Sequence, residues 1–164
     1  MGSCASTPSF KDEGDTAHFA QRYVLSVESL GKGSTADVFA AESLHPKRTG
    51  GNKLVAVKRI NKDDFDATQQ KTILREASIL HKLNSKGANE GIIKSYAFFN
   101  GSPDKAFLVL ELIDGGDLYD RLNKRKGTYF EYDARALARN LLSSLVHLDR
   151  HGVAHRDLKM ASLM

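Results

Sequence analysis

From Tyr23 the sequence changes to alternating apolar positions and glycines, a pattern that predicts strands joined by turns. "YVLSVESL" reads as one strand and "DVFAAES" as the next, with "GKGSTA" as the turn that makes them a hairpin. A polar loop carrying Pro46, Gly50 and Gly51 leads to a third strand, "LVAVKRI". Asp66 with Gln69 three residues later predicts a capped helix start, and the helix runs through "TQQKTILREASILHKL". "IIKSYAFF" and "AFLVLELI" complete the set as two strands joined by "NGSPDK". Five strands with one helix inserted after the third is the expected order.

Past Ile113 the period changes. "GGDLYDRLNKRK" predicts a hinge followed by a short amphipathic helix. Thr128 to Glu131 resembles a capping box. A long helix is then expected to about Arg150, with Ala134, Leu137, Ala138, Leu141, Leu142 and Leu145 as its apolar stripe and Gly152 as its stop. The fold class is α+β, with no internal repeat.

Composition narrows the functional classes. A chain of 164 residues with 41% hydrophobic and 27% charged residues fits one globular domain. The net charge of +4 is spread out; its densest group, Arg121, Lys124, Arg125 and Lys126, reads as a solvated helix end. Basic stripes with interleaved aromatics are missing, so no nucleic-acid partner is expected. Cys4 is the single cysteine, which excludes an internal disulfide and fits a reducing compartment. The sequence holds neither a secretory signal nor an apolar run of the roughly 20 residues a spanning helix requires. The opening "MGSCAS" does fit N-myristoylation of Gly2, with Ser6 at the preferred position. One myristoyl chain holds a membrane only marginally, and Cys4 supplies a second acylation point by palmitoylation. The expected location is cytoplasmic, at the inner face of a membrane. Residues 1–22 are expected to be a leader, unstructured through residue 20. Asp12, Glu13 and Asp15 read as a solvated tail.

The chemistry-bearing residues begin in the first hairpin. Gly31 and Gly33, within Gly31-Lys32-Gly33-Ser34-Thr35-Ala36-Asp37-Val38, let backbone amides approach an anion because no Cβ intervenes. A turn between antiparallel strands is not the strand-to-helix turn of a dinucleotide fold, which excludes that reading. In "VAVK", alternation puts Ala56 and Lys58 on one face. On the following helix Ile73, Ala77, Leu80 and Leu83 mark the buried stripe, and Glu76 falls within it. A carboxylate there needs a partner, and Lys58 is the expected counter-ion.

"GKGSTADV", "VAVK", the glutamate of "LREASIL", "VLELIDGGDL" and "HRDLK" stand in the order and approximate spacing of the protein kinase family. The resemblance runs from Tyr23 to Met164. Lys159, two residues after Asp157, resembles serine/threonine kinases, and the hinge wording resembles their calcium/calmodulin-regulated branch. The resemblance implies a small lobe over 23–113, made of a five-stranded antiparallel sheet plus one helix, and the first helices of a large lobe over 114–164. It implies ATP and magnesium as cofactors and proteins as substrates. Leu30, Val38 and Ala56 would line the adenine slot, with Leu110 guarding its back. Backbone groups of Glu111 and Ile113 would bond the adenine edge, and Asp117 would approach the ribose. Lys58 would hold the α- and β-phosphates, Asp157 would orient the substrate hydroxyl and Lys159 would steady the transferred phosphate.

Ala36 stands where the usual glycine pattern has its third glycine, and the sequence departs from that family again and stops short of it near its end. Ser162 stands where the family has a magnesium-binding asparagine. The sequence ends seven residues after Asp157, before the Asp-Phe-Gly segment and the activation segment. Three readings stay open: a diverged strand start in "MASLM", read-through beyond an exon boundary, or a real short product. An incomplete gene product is the expected one. His147, His151 and His155 repeat at metal-like spacing, but Gly152 breaks the helix, so ordinary polar residues near a helix end are expected there. Two functional classes follow: a membrane-tethered serine/threonine kinase, or an inactive nucleotide-binding or scaffold module on the same fold.

Overall fold

The computed structural model describes residues 12–33, 36–63, 65–87, 89–125 and 130–164. They form a five-stranded antiparallel sheet with helices, as expected. Strands β1 (Tyr23–Lys32), β2 (Ala36–Ser43), β3 (Leu54–Asn61), β4 (Ser95–Phe99) and β5 (Lys105–Glu111) lie in the order β1-β2-β3-β5-β4. The helices are α1 (Thr16–Ala20), α2 (Ala67–Ser85), α3 (Leu118–Lys124) and α4 (Glu131–Arg150), with single 3₁₀ turns at Pro46–Thr49 and Met160–Ser162. β1 is irregular, its register slipping between Leu25 and Ser29 and again before Gly31.

The chain divides into two compact units. One takes in residues through Ser85 together with Ile93–Leu112; the other takes Lys86–Ile92 and Ile113–Met164. One break falls between Leu112 and Ile113, and Lys86–Ile92 belongs to the second unit. Gly91 packs there so closely on Ser144 of α4 that a Cβ would overlap the hydroxyl.

In the first unit both faces of the sheet are covered. One face gathers Tyr23, Ala41, Val55, Val57, Ala97, Phe99, Phe107 and Val109; the other gathers Ile60, Phe98, Ala106 and Leu108 against Ile73 and Ala77 of α2. Burial on both sides explains why "AFLV" in β5 is apolar without alternation. Helix α2 starts as expected: Asp66 Oδ1 accepts from the amides of Thr68 and Gln69, and Gln69 Oε1 accepts from the Asp66 amide. Its stripe is also as expected, with Ile73, Ala77 and Leu83 buried and Leu80 half-buried.

The expected unstructured leader is corrected from Asp12 onward. Asp15 caps α1, its Oδ1 accepting from the amides of Ala17 and His18. That turn delivers Phe19, 4% exposed, into the first core cluster. The preceding residues form a strap along the open edge of β4. The Glu13 amide donates to Phe98 O, the Asn100 amide to Asp12 Oδ1 and the Gly101 amide to Gly14 O, each at 2.9 Å. Ser102 Oγ accepts from the Thr16 amide at 2.8 Å and bonds the Thr16 hydroxyl at 2.7 Å. Glu13 pairs with Arg22 and Arg48. Asp12 and Glu13 are therefore fastened to the sheet and Asp15 caps α1, so the solvated-tail reading fails. Beneath the strap the buried Lys62 ammonium donates to Asn100 O, Asn100 Oδ1 and Ser102 O. Burial holds that ammonium below the usual lysine range, against the opposing pull of Asp104 and Asp12.

In the second unit Asp117 caps α3, and the Leu118 amide donates to Leu163 O at 2.7 Å. The capping box expected at Thr128 is corrected. Helix α4 begins at Glu131 with Phe130 as its cap and no side-chain cap bond, and Glu131 instead pairs with Arg135. Thr128 itself lies outside the described residues. The expected stripe is also redrawn: Ser144 and Leu148 are the buried residues of α4, whereas Leu142 is 61% exposed. The helix stops where expected, with Gly152 in the left-handed region at φ 67°. No described helix is long and apolar enough to cross a membrane.

Candidate functional site

In the first unit the site is built on one face of β3. Antiparallel register sets Val38 opposite Lys58 and Lys58 opposite Leu108, and two residues along it sets Ala40, Ala56 and Leu110 in one row. Opposed residues share a face, so Val38, Ala56, Lys58 and Leu110 lie together, as the alternation in "VAVK" predicts. Lys58 Nζ donates to Glu76 Oε1 at 2.7 Å, with the two side chains 29% and 45% exposed. Sequence reasoning anticipated the pair; it put the carboxylate deeper than it is. Such an accessible pair adds little stability, so its value is positional: it fixes a cation in space.

The described part of the glycine turn fits an anion-cradling role. Gly33 donates to Ala36 O at 2.8 Å, closing the turn, and a Cβ on Gly31 would meet open space. Lys32 is exposed and pairs through its backbone with Asp37, while Ala36 packs against the α2 cluster. Leu30 is exposed, Val38 is half-buried and Ala56 is buried. Leu110 is half-buried against the α2 cluster. The Glu111 amide donates to Lys94 O at 2.9 Å. Ser34 and Thr35 lie outside the described residues, as do Gly2 and Cys4.

Other candidate residues lie within the second unit. Ile113 is exposed, and Asp117 Oδ1 accepts from the Asp120 amide at 2.8 Å as the cap of α3. Asp157 and Lys159 are exposed and face each other, Nζ to Oδ2 at 2.8 Å. The Lys159 hydrogen bond and charge, with a smaller effect of His155, hold the Asp157 carboxyl below the usual aspartate range. Arg156 sits between these groups at φ 66°, a left-handed conformation that costs a non-glycine residue about 1 kcal/mol or more. The histidine series divides: the His147 and His151 rings lie with centroids 4.4 Å apart and planes tilted by 40°, whereas His155 Nδ1 faces the Asp157 amide.

These oxygen groups do not fit a magnesium ion well. Ser162 offers a neutral hydroxyl already donating to Asp157 O at 3.0 Å, and the Asp157 carboxylate is engaged by Lys159. Among the described residues no cluster of three metal-ligating side chains occurs.

Sequence reasoning missed two supporting elements. One is the strap, whose signal was Asp15 standing four residues before an isolated Phe19. The other is Asn84, near the end of α2. It donates to Ile93 O at 3.2 Å and accepts from the Ser95 amide at 2.7 Å, tying the helix to the start of β4.

A protein kinase domain model matches residues 24–164. Myosin light chain kinase A of Dictyostelium discoideum is 34% identical over 137 residues, 84% of this chain and 43% of that protein. Calcium/calmodulin-dependent protein kinase type IV of Mus musculus is 35% identical over 139 residues, 84% of this chain and 26% of that protein. Calcium/calmodulin-dependent protein kinase type 1 of Caenorhabditis briggsae is 34% identical over 135 residues, 82% of this chain and 35% of that protein. The chain belongs to the protein kinase family. It spans less than half the length of each of these relatives.

Proposed function

We propose that the chain provides the ATP-binding lobe and the start of the catalytic segment of a serine/threonine protein kinase, one that transfers the γ-phosphoryl group of ATP to protein hydroxyls. The observation that carries this reading is Lys58 held by Glu76 at 2.7 Å on the strand face that also bears Val38, Ala56 and Leu110. In such a role the Lys58 ammonium neutralises the α- and β-phosphates, and the Gly31–Gly33 turn brings backbone amides to them. Asp157 orients the attacking hydroxyl. The Lys159 hydrogen bond and charge hold its carboxyl below the usual aspartate range, keeping it a carboxylate that can accept a hydrogen bond from that hydroxyl. The P–O bond to the β-phosphate breaks as the bond to the substrate oxygen forms, and Asp157 receives the hydroxyl proton. Magnesium supplies charge neutralisation in this family, but the donors present here do not fit it, so no step is assigned to it.

That misfit favours one second reading: nucleotide binding without transfer. Ser162 in place of a stronger ligand is its specific support. Thermal unfolding with and without magnesium and ATP tests the shared part, with Lys58→Met as the control. A rise in melting temperature that Lys58→Met abolishes supports nucleotide binding, and no rise in the unmutated chain removes both readings. Phosphate incorporation into a generic basic protein substrate then separates them.

We also propose that Gly2 and Cys4 are acylated and tether the chain to the cytoplasmic face of a membrane, because the first residues combine a myristoylation pattern with a nearby thiol. Gly2→Ala should move the protein from the membrane fraction to the soluble one. Unchanged partitioning counts against the tether.

A further inference from the structure

We infer that the strap of residues 12–20 is a positioning device for Glu76, acting through β4. β4 is an edge strand with three attachments. Its open edge takes the Glu13 amide at Phe98 O, and the turn beyond it takes Asp12, Gly14 and Thr16. One face carries Phe99 against Phe19 of α1, with ring centroids 5.5 Å apart. The opposite face carries Phe98, fully buried in the cluster that contains Ile73 and Ala77 of α2. Asn84 near the end of the same helix bonds Ser95 at the start of the strand.

Helix α2 thus rests chiefly on β4, and β4 is clamped between that helix and the strap. Glu76 lies one residue from Ala77, the fully buried contact of α2. A tilt of β4 moves Phe98, Phe98 moves the helix stripe, and the helix carries Glu76 relative to Lys58. Close packing transmits such shifts because neighbouring side chains leave no slack to absorb them. Phe19 and Ser102 are positioning residues in this scheme; neither touches Lys58 or Glu76.

Amide hydrogen exchange on the full chain tests the coupling without any ligand. Ser102→Ala removes both bonds to Thr16, and Phe19→Ala removes the anchor. Ser102→Ala should speed exchange in β4 and α2 together by about tenfold or more, while amides in the β1–β2 hairpin stay within about twofold; Phe19→Ala, whose ring also stacks on Tyr23 of β1, should loosen the hairpin as well. Phe19→Leu, which refills the site, should restore most of the protection. In Ser102→Ala, faster exchange in β4 alone, or equally throughout the unit, overturns the coupling. If Phe19→Ala does not fold, Ser102→Ala decides the matter, because it leaves the core intact.

A second measurement rests on the nucleotide reading. Magnesium–ATP affinity of the same variants should fall severalfold as α2 loosens, and unchanged affinity with a loosened α2 overturns the link from helix to lysine. An unmutated chain that binds no ATP removes the nucleotide reading, and the exchange result then stands on its own.

Discussion

Phe19 stacks on Phe107 with ring centroids 4.1 Å apart and planes 7° from parallel. One ring comes from a five-residue helix and the other from β5, so the contact joins the first described element of the chain to the inside of the sheet. Truncating Phe19 removes a large ring from a buried site. Phe19→Ala should therefore lower unfolding stability by about 3 kcal/mol. Urea unfolding of the full chain checks this, and a loss under about 1 kcal/mol would mean that α1 is not docked in solution.

Lys58 and Glu76 should separate binding from stability. Their partial exposure limits what the pair adds to folding, so Lys58→Met or Glu76→Gln should change unfolding stability by less than about 1 kcal/mol. Nucleotide affinity should fall at least about tenfold in Lys58→Met, because the phosphates lose their fixed cation. Calorimetric titration and urea unfolding on the same samples give both numbers. A large stability loss without an affinity loss would mark the pair as merely structural.

The strap carries an acid-sensitive fastening. The His18 amide and then the His18 ring, with further help from the Ala17 amide, hold the Asp15 carboxyl below the usual aspartate range. Its folded pKa thus lies below its unfolded value, so the contribution of Asp15 is full above about pH 4 and is lost as pH falls through the lower folded value. Asp15→Asn keeps a cap but lacks the charge. The stability gap between the two proteins, from denaturant midpoints, should hold from pH 7 to pH 5 and narrow at lower pH. A constant gap down to pH 2 would rule out the charged cap as its source.

Two glycines should behave in opposite ways. A Cβ at Gly101 would lie 2.9 Å from Gly14 C, backbone that the strap cannot move without breaking its bonds. Gly101→Ala should lower stability by roughly 1–3 kcal/mol. At Gly31 an added Cβ meets no protein atom, so Gly31→Ala should leave stability within about 0.5 kcal/mol and weaken ATP binding. Thermal melts with and without nucleotide distinguish the two patterns.

Much of this was legible because it is encoded locally. The sheet follows from period-two alternation, the start of α2 from the Asp66–Gln69 box, and the Lys58–Glu76 pair from a charge placed on an apolar stripe. The failures share a cause. Helix α1 is too short to show a period, and its Asp15 cap and the aromatic surface that receives Phe19 hold it. In α4 the buried residue is Ser144 rather than Leu142, because Gly91 approaches Ser144 and no helix pattern records that approach. Thr128 looked like a cap, yet the cap position of α4 is Phe130, and the helix begins at Glu131. Where the second unit places Asp157, the motif was readable from its residues, whereas the grip of Lys159 on that carboxylate was not.

The slipped register of β1 has a bearing on how the protein behaves at high concentration. Sheets end in rims of unpaired amides that recruit further strands, and a long regular rim is a nucleus for self-association. Here one rim is β1, whose bulges interrupt the ladder around Val27, a residue 99% exposed. The other rim, β4, has the strap bonded along part of it. A foreign strand would have to match the irregular path of one or displace the other. Deleting the strap should therefore convert a dispersed protein into one that associates through β4, an outcome visible by light scattering before any loss of helix content.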